Sequence, residues 1–412
     1  MKVLIVNTAD ISGGAARAAF RLHRALLGEC VDSQMLVQHK NTDLPSVVGP
    51  TSRLQKIRAI ASAVVDTLFL SRYPQRSKSL FSPAKAPSGT AVDRINALDP
   101  DIVHLHWVNG GMLRIEDISR IQAPVVWSLH DMWAFTGGCH YDEGCGRYGN
   151  SCGQCPLLGS SKPVDLSRQV LHRKVKALDS KSQLTVVGLS QWLAESASES
   201  ALFRDRKVVN LPNLIDTSRF TPFDQTMGRE LLGLPEEKKL VLFGAMGATS
   251  DPRKGFRELS KALEQIEGDH VELVVFGSSG PADSQEFPQK THYLGQLHDD
   301  ATLRALYSAV DVVVVPSRQE NLSNAIMESL ACGTPVVAFN IGGNPDMVEH
   351  QLSGYLAQDG DIGDFARGIN WVLNHREAQK LSLHSVQTVQ DRFDSKEVAR
   401  KYINLYTEIL NQ

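Results

Sequence analysis

Two glutamates, Glu320 and Glu328, stand with seven residues between them where the sequence changes from a strand pattern to a helix pattern. The apolar run DVVVVP precedes them and a second run, PVVAF, follows. Carboxylates only accept hydrogen bonds, so two of them near a helix start can hold hydroxyls at either end of a ligand. The positive helix start can hold phosphate oxygens between them. The pattern predicts a sugar-nucleotide site, although two solvated acids near a helix start would give the same sequence.

The spacing of the glutamates also predicts where each one lies. We expect a helix from Asn321 to Ala331, capped by Asn321 or Ser323. Residues eight apart on an ideal helix differ by about 80°, so Glu320 and Glu328 do not share a face. Glu320 is therefore expected in the loop beyond the strand, with Glu328 two turns along the helix.

The elements that must position these residues form a regular series. Short apolar runs rich in β-branched residues alternate with segments of helical spacing, which is typical of parallel sheets covered by helices on both faces. Two such series meet near VVNLPNLIDTSRFTP, where Pro212 and Pro222 indicate a linker. We expect an α/β protein with domains 1–215 and 216–394 and a closing helix, 395–412, with one buried face. The runs are KVLIVN, SQMLVQ, DIVHLHW, PVVWSLH, LTVVGLS, KLVLFGA, VELVVFG, DVVVVPS and PVVAF.

Composition excludes several classes of protein. The chain has 412 residues, 42% of them hydrophobic, which suffices for two or more domains. Its formal net charge of −3 lacks the basic excess of a nucleic-acid binder. The start, MKVLIVN, reads as a buried strand and not as a signal peptide, and no apolar run reaches the roughly 18 residues of a membrane span. These features predict a cytoplasmic protein.

A family resemblance becomes specific at the glutamate pair. Glu320 and Glu328, continued by SLACGTPVVAF and GGNPDMV, closely resemble the donor-binding segment of retaining GT-B glycosyltransferases of family 4. The resemblance covers nearly the whole chain, including PNLIDTSRF at the linker and the closing helix, which in this family returns to the first domain. It implies two Rossmann-like domains with parallel sheets facing across a cleft, the first on the acceptor side and the second holding the nucleotide sugar.

The resemblance also implies a reaction. A hexose would pass from a UDP- or GDP-sugar to a glycan or lipid-linked glycan, with retention of anomeric configuration and without a cofactor for the chemistry. Two other readings stay open: a sugar-nucleotide epimerase of the same architecture, and a non-catalytic nucleotide- or glycan-binding relative. Radiolabelled donor separates them, because only the epimerase converts it without an acceptor.

Phosphate-binding parts follow two further strands. Gly13 and Gly14 let the backbone approach an anion at a helix start, and the resemblance directs this loop to the donor phosphate. It assigns Lys254 to the diphosphate, where an ammonium group neutralises the leaving group, and His130 to the donated sugar. The expected catalytic residues are His130 and Glu320, and the expected donor-binding residues are Gly13, Gly14, Arg17, Arg253, Lys254, Leu322, Ser323, Asn324 and Glu328.

Two of these assignments have simple alternatives, and one position departs from the family pattern. Arg17 can equally be a solvent-facing arginine. For Lys254 a solvated loop lysine is the alternative, but the diphosphate role is preferred. His106 is expected to be a satisfied histidine at the edge of the core. Where many relatives carry an arginine after the strand, this chain has Ala245. Arg253 or Arg318 can supply the missing positive charge.

Four of the six cysteines, Cys139, Cys145, Cys152 and Cys155, fall within 17 residues among many glycines. Their spacing, with a closing C-x-x-C, predicts a structural zinc site in the loop 139–155. Reduced unliganded thiols and disulfides are the alternatives, and a reducing cytoplasm disfavours the latter. The isolated Cys30 and Cys332 are expected to be buried as small apolar residues. The block LHDMWAFTGGCHYDEGC resembles that of colanic-acid galactosyltransferases, a bacterial exopolysaccharide subgroup.

The segment 51–85 carries seven basic residues and one acid, Asp66, around an apolar stripe. Such a helix can lie on an anionic membrane, at the inner face in a cytoplasmic protein, or face a lipid diphosphate acceptor. The alternative, which we prefer from the sequence, is a helix whose stripe packs on the core with a solvated basic edge. The stripe consists of Leu54, Ile57, Ile60, Ala61, Val64, Val65 and Leu68.

Overall fold

The chain forms two compact units in a computed structural model that describes residues 1–86, 90–244, 251–266, 268–277, 287–297 and 299–412. The first unit comprises Met1–Asn213 together with Val398–Gln412, and the second comprises Leu214–Glu397. Each unit contains one parallel sheet with helices packed on it.

The first unit has a seven-stranded sheet in the order β3-β2-β1-β4-β5-β6-β7, in which every neighbouring pair is parallel. Its central strands are buried along their whole length and are therefore mostly apolar in sequence, with one buried polar residue in each of β4, β5 and β6: His104, Ser128 and Thr185. The strands are β1 Lys2–Ala9, β2 Asp32–His39, β3 Val47–Val48, β4 Ile102–Leu105, β5 Val125–Leu129, β6 Leu184–Gly188 and β7 Val208–Asn210.

The second unit has a six-stranded parallel sheet in the order β10-β9-β8-β11-β12-β13. Along β8, Leu240 and Leu242 pack into one buried cluster and Val241 and Phe243 into another, so both faces of this sheet are covered. The strands are β8 Lys239–Gly244, β9 Val271–Phe276, β10 Thr291–Tyr293, β11 Val312–Val315, β12 Val336–Phe339 and β13 Gly354–Ala357.

Helices connect the strands in both units. Those of the first unit are α1 Gly14–Gly28, α2 Arg53–Leu68, α3 Ala91–Ala97, α4 Ile115–Ile118, α5 Leu166–Asp179 and α6 Gln191–Glu199. Those of the second unit are α7 Gln225–Leu232, α8 Phe256–Leu263, α9 Asp300–Ala309, α10 Asn324–Ala331, α11 Asn344–Met347, α12 Ile362–Leu373 and α13 Ala378–Phe393. The closing helix is α14 Ser395–Leu410, most of which belongs to the first unit.

All nine predicted strands are present, and the α/β class is confirmed. The four strands that the sequence did not indicate, β3, β7, β10 and β13, are the outermost strands of the two sheets. Each has only two to four residues. A strand with one neighbour buries less surface, so it needs no long apolar run and leaves a weaker signal.

The preferred arrangement of the segment 51–85 was wrong. In α2 the buried residues are Ala59, Ser62 and Asp66, whereas the apolar stripe points to solvent. Ile57 and Ile60 are each 62% exposed. The periodicity of the stripe was predicted correctly, but the stripe does not pack on the core.

Candidate active site

The order of strands in the second unit reverses between β8 and β11. From β8 the chain continues outward through β9 and β10, and β11 then returns to the other side of β8 and is followed by β12 and β13. In open parallel sheets, ligands bind beyond the carboxyl ends of the strands at such a reversal. Lys254 follows β8 and Glu320 follows β11, so the topology brings the two predicted residues to this point.

Lys254 and Glu320 form an ion pair. The Nζ of Lys254 donates to Oε2 of Glu320 at 2.8 Å, and Ser317 Oγ donates to the same oxygen at 3.2 Å. The Glu320 residue is 9% exposed, so the carboxylate is held in a largely buried position. A backbone hydrogen bond from Arg318 N to Arg253 O, 2.8 Å long, joins the two loops that carry the pair.

Two glycines allow these loops to approach closely. A Cβ on Gly255 would lie 1.8 Å from the carbonyl oxygen of Pro316, and one on Gly342 would lie 1.9 Å from that of Glu320. Both glycines have positive φ, 73° and 51°, in the left-handed region. The position of Glu320 therefore depends on the absence of side chains at these points.

Gly342→Ala is expected to destabilise the protein by about 1–3 kcal/mol, because it adds both a left-handed alanine and a clash with the backbone of Glu320. Gly360→Ala separates the two effects, since φ at Gly360 is 71° but nothing lies within 4 Å of its Cβ position. Thermal unfolding of both variants measures the difference. If Gly342→Ala lost no more stability than Gly360→Ala, the close approach to Glu320 would be unimportant.

The helices that begin at this edge lack side-chain caps. Gly255 precedes α8 and has no side chain that could cap it. Ser323 precedes α10, and its side chain accepts no hydrogen bond from the helix start. Aspartates do cap α7, α9 and α12 of the same unit. The starts of α8 and α10 thus lack the carboxylate cap of α7, α9 and α12, as do those of α11 and α13, and helix starts without such a cap can face a bound anion.

Helix α10 begins three residues later than predicted, at Asn324. Leu322 and Ser323 are buried and lead into the helix. Ser323, one of the two predicted caps, occupies the N-cap position, but its side chain makes no capping hydrogen bond. Glu328 lies in the second turn, 3% exposed. Its Oε2 accepts a hydrogen bond of 2.9 Å from the hydroxyl of Tyr307 on α9, a partner that the sequence did not indicate.

Arg253 and Arg318, which could replace the arginine missing at Ala245, lie in the loops that carry the Lys254–Glu320 ion pair. Arg253 forms a 2.7 Å ion pair with Asp251 in its own turn. The side chain of Arg318 is 67% exposed and 3.8 Å from Glu258. Ala245, where the missing arginine was noted, lies outside the described residues.

In the first unit, His130 follows β5 and lies beside His106, which follows β4. Nδ1 of His106 and Nε2 of His130 are 2.8 Å apart, so one ring nitrogen donates to the other. His106 is buried as expected but not fully satisfied, because its Nε2 has no hydrogen-bond partner among the described residues. Burial lowers the pKa of His130 to about 4, although the nearby Asp131 opposes this shift.

A third histidine connects this pair to the closing helix. On β4, Nδ1 of His104 contacts the Tyr406 hydroxyl at 2.7 Å and Nε2 contacts Ser128 Oγ at 2.8 Å. Tyr402 and Tyr406, buried on α14, thereby join a polar network in the middle of the sheet. The predicted burial of one face of the closing helix is confirmed, but nothing in the spacing indicated this network.

These buried histidines should make the stability of the protein pH-dependent. Burial lowers the pKa of His104 to about 3 and that of His106 well below 6.5. The unfolded chain takes up these protons near pH 6.5, whereas the folded chain does not. The free energy of unfolding should therefore fall as the pH is lowered from about 6.5 to about 4.

His104→Gln should make that pH dependence shallower by up to about 1.4 kcal/mol per pH unit, because one proton-binding difference is removed. Thermal midpoints measured between pH 4 and pH 7 test this. His172→Gln, which changes an exposed histidine of α5, serves as the control. Parallel profiles for the wild type and His104→Gln would contradict the expectation.

The glycine loop after β1 is held by a buried acid. Gly13, with φ 99°, precedes α1 and provides no side-chain cap. The carboxylate of Asp10 accepts hydrogen bonds from the backbone amides of Asn41 and Thr42, each 2.8 Å long. Burial would raise the pKa of Asp10, but these hydrogen bonds outweigh it and lower the pKa. Gly14 opens the helix and Arg17 is half-buried in its first turn.

Asp131 anchors the cysteine-rich loop to the end of β5. Its Oδ2 accepts hydrogen bonds from Nδ1 of His140 at 2.6 Å and from Nε1 of Trp107 at 3.1 Å. The carbonyl of His140 accepts a bond from Met132 N. Burial raises the pKa of Asp131, but His140 outweighs this effect and leaves the pKa below its usual value. The loop thus contacts the residues directly after His130.

The predicted zinc site is not supported. Cys139 and Cys155 are buried and Cys145 and Cys152 half-buried, all as free thiols, and burial raises the pKa of Cys152 to about 11. Within the ranges that the structure describes, no three His, Cys, Asp or Glu side chains are arranged to hold a metal ion. Backbone hydrogen bonds, buried side chains and Asp131 hold the loop instead. Cys332 is buried as expected, but Cys30 is exposed.

A cavity of about 110 Å³ opens in the first unit beyond the carboxyl end of β2. Gln38 of β2, Arg58 of α2 and Arg94 of α3 are among the residues that line it. The cavity therefore has a mixed polar and apolar lining, its charged lining residues are the two arginines, and helix α2 forms part of it. No described helix is long and apolar enough to cross a membrane.

Comparison with known proteins finds sequence similarity to glycosyltransferases. Residues 237–375 match the sequence model of the family Glycosyl transferases group 1. Over 361 residues, 82% of this chain and 83% of the relative, the chain is 25% identical to WcaC of Escherichia coli strain K12, assigned provisionally as a colanic acid biosynthesis glycosyl transferase. It is 34% identical over 184 residues to D-inositol 3-phosphate glycosyltransferase of Mycolicibacterium smegmatis, 42% of this chain and 41% of that protein.

Solved structures share the fold along the whole chain. Sucrose-phosphate synthase from Thermosynechococcus elongatus superposes with a TM-score of 0.67 at 19% identity, covering 100% of this chain and 99% of that one. HepE of Anabaena, in complex with UDP and glucose, superposes with a TM-score of 0.68 at 16% identity, covering 99% of each chain. Residues 237–375 of the second unit are thus similar in sequence to group 1 glycosyltransferases, the similarity to a glycosyl transferase extends over most of the chain, and the whole chain has the GT-B fold.

Proposed function

We propose that the protein transfers a hexose from a nucleoside diphosphate sugar to a glycan hydroxyl with retention of the anomeric configuration. The observation that carries this proposal is the Lys254–Glu320 pair, 2.8 Å long, at the strand reversal of the second sheet. An ammonium group, a carboxylate and two helix starts without side-chain caps converge there. This combination matches a sugar diphosphate, which has both anionic oxygens and hydroxyls.

We infer one orientation for the donor at the carboxyl ends of β8 and β11. The diphosphate lies against Lys254 and the starts of α8 and α10, Glu320 accepts hydrogen bonds from the donated sugar, and Glu328 accepts them from the ribose. HepE was crystallised with UDP-glucose, which supports a UDP-sugar as the donor here. The glycine loop of Gly13 and Gly14 and the half-buried Arg17 are further donor-binding candidates, and we assign His130 to the positioning of the sugar.

The reaction exchanges one bond at the anomeric carbon. The acceptor oxygen bonds to this carbon on the face from which the phosphate oxygen departs, and the acceptor proton passes to the departing phosphate. Negative charge grows on the leaving diphosphate, and Lys254 with the helix-start amides stabilises it. Because those groups are already in place, no reorganisation is needed as the charge develops.

The acceptor is proposed to be a glycan or a lipid-linked glycan of a bacterial surface polysaccharide, made in the cytoplasm. The similarity to WcaC along most of both chains supports this pathway class. The cavity lined by Arg58 and Arg94 is the candidate place for an acceptor phosphate in the first unit, because two guanidinium groups there can pair with its oxygens.

A donor panel tests the proposal. The full-length protein is heated with UDP- and GDP-hexoses, and a true donor at 100 times its Kd should stabilise it by about 2.7 kcal/mol. The best donor, radiolabelled, is then incubated with and without lipid-linked glycans. Transfer only with an acceptor supports the proposal. Conversion of the donor alone would indicate an epimerase, and binding without turnover a non-catalytic relative.

A further inference from the structure

Helix α2 presents an apolar face to solvent. Leu54 is 79% exposed and Val64 57% exposed, and four further large apolar side chains of this helix are exposed as well. Single exposed apolar residues are common, but six on one helix of 16 residues form a continuous surface. We call this surface the α2 face, and it consists of Leu54, Ile57, Ile60, Val64, Val65 and Leu68.

The α2 face points directly away from the protein. At 100° per residue its six side chains occupy an arc of about 140°, centred roughly 160° from the arc of the buried residues Ala59, Ser62 and Asp66. Lys56 and Arg58 lie at the two edges of the arc, and both are exposed. The helix is about 24 Å long, so the face is a strip and not an isolated patch.

The exposed charges of the segment 53–78 are all positive. Arg53, Lys56 and Arg58 are exposed on the helix, and Arg72, Arg76 and Lys78 are exposed just beyond it. The one acid of the segment, Asp66, is turned inward. Its carboxylate accepts hydrogen bonds from the backbone amides of Ala84, Lys85 and Ala86, so it cannot offset the outer charges.

We propose that the α2 face binds the surface of an anionic lipid bilayer, with its apolar side chains among the acyl chains and its basic residues on the headgroups. An apolar strip with basic edges is the pattern of a helix that lies in a membrane interface. A second copy of the chain fits less well, because two such faces would bring the same six positive charges together. Charge complementarity therefore favours an anionic lipid surface.

The cavity lined by Arg58 and Arg94 lies beside the helix that carries the α2 face. Gln55, Arg58, Ala59 and Ser62 of α2 line the cavity that also contains Arg94. A bilayer bound by the outer side of α2 would lie next to a positively charged cavity on its other side. This arrangement deepens the proposed function, since a phosphate-linked acceptor held in the membrane would then be close to the protein, but membrane binding itself does not require that function.

Vesicle flotation of the full-length protein, without donor or acceptor, tests the proposal. We expect binding to vesicles that contain phosphatidylglycerol, weaker binding at high salt and little binding to pure phosphatidylcholine. The triple variant Ile57→Ser, Ile60→Ser, Val64→Ser should reduce the fraction bound at least tenfold. Its side chains are exposed, so thermal unfolding should match that of the wild type.

A matched control distinguishes the α2 face from apolar exposure in general. Leu231→Ser with Leu383→Ser removes two side chains that are 69% and 65% exposed in the second unit, and binding should be retained. Equal flotation of the triple variant and the wild type would overturn the proposal. So would a concentration-dependent dimer that the triple variant abolishes without any vesicle binding by the wild type. Donor binding in the thermal-shift assay is read separately, so failure of either proposal is distinguishable.

Discussion

Glu320→Gln should lower the rate of hexose transfer by about two orders of magnitude while leaving the fold intact. Glutamine keeps the size of the side chain but removes the negative charge that lies 2.8 Å from Lys254. Our proposal has this carboxylate accept hydrogen bonds from the donated sugar, and an amide nitrogen in its place cannot accept them. Initial rates with radiolabelled donor and saturating acceptor measure the effect.

The control for this prediction is Glu264→Gln, which neutralises an exposed acid at the end of α8. It should retain the wild-type rate. A thermal midpoint measured for Glu320→Gln shows whether the loss is chemical or structural. If the variant were fully active and as stable as the wild type, Glu320 would have no role in transfer.

Lys254→Met is expected to lower kcat/KM by roughly 10²–10³, or about 2.7–4 kcal/mol, because the growing charge of the leaving diphosphate loses its ammonium partner. Lys254→Arg should lose less, since it retains the positive charge. Lys261→Met, an exposed lysine of the same helix region, is the matched control and should behave as the wild type. Kinetics at several donor concentrations separate kcat from KM.

The effects of the Lys254 and Glu320 substitutions on transfer should not be independent. Because Lys254 and Glu320 contact each other and the same proposed donor, the double variant should lose much less than the product of the two single losses. Independent, multiplicative losses would indicate that the ion pair is structural and that each residue contributes elsewhere. This double-mutant cycle therefore measures the coupling between Lys254 and Glu320 as well as the effect of each residue.

The strand and helix pattern was predictable because it depends on local chemistry. Central parallel strands such as β5 and β11 are buried on both faces, so their sequences are largely apolar, with Ser128 of β5 as an exception. Gly13 and Gly14 indicated where the first helix begins. The outermost strands were missed, since a short strand with one neighbour requires little apolar sequence.

Contacts between distant residues could not be predicted in the same way. His104 and Tyr406 are 302 residues apart, and Glu328 and Tyr307 lie on different helices. Spacing within one element gives no information about which partner another element brings to it. The predicted zinc site is likewise not supported, because cysteine spacing alone does not fix how the side chains of a loop are arranged, and no three His, Cys, Asp or Glu side chains of the described residues are arranged to hold a metal ion.

The sequence by itself determined the two α/β series, the predicted donor residues and the apolar stripe of α2. Only the tertiary structure decided that Lys254 and Glu320 meet, because the strand order places β8 beside β11. It also decided that the α2 stripe faces outward, because helical periodicity defines the width of an apolar face but not the side on which the core lies. Asp66, buried by three backbone amides, fixes that side.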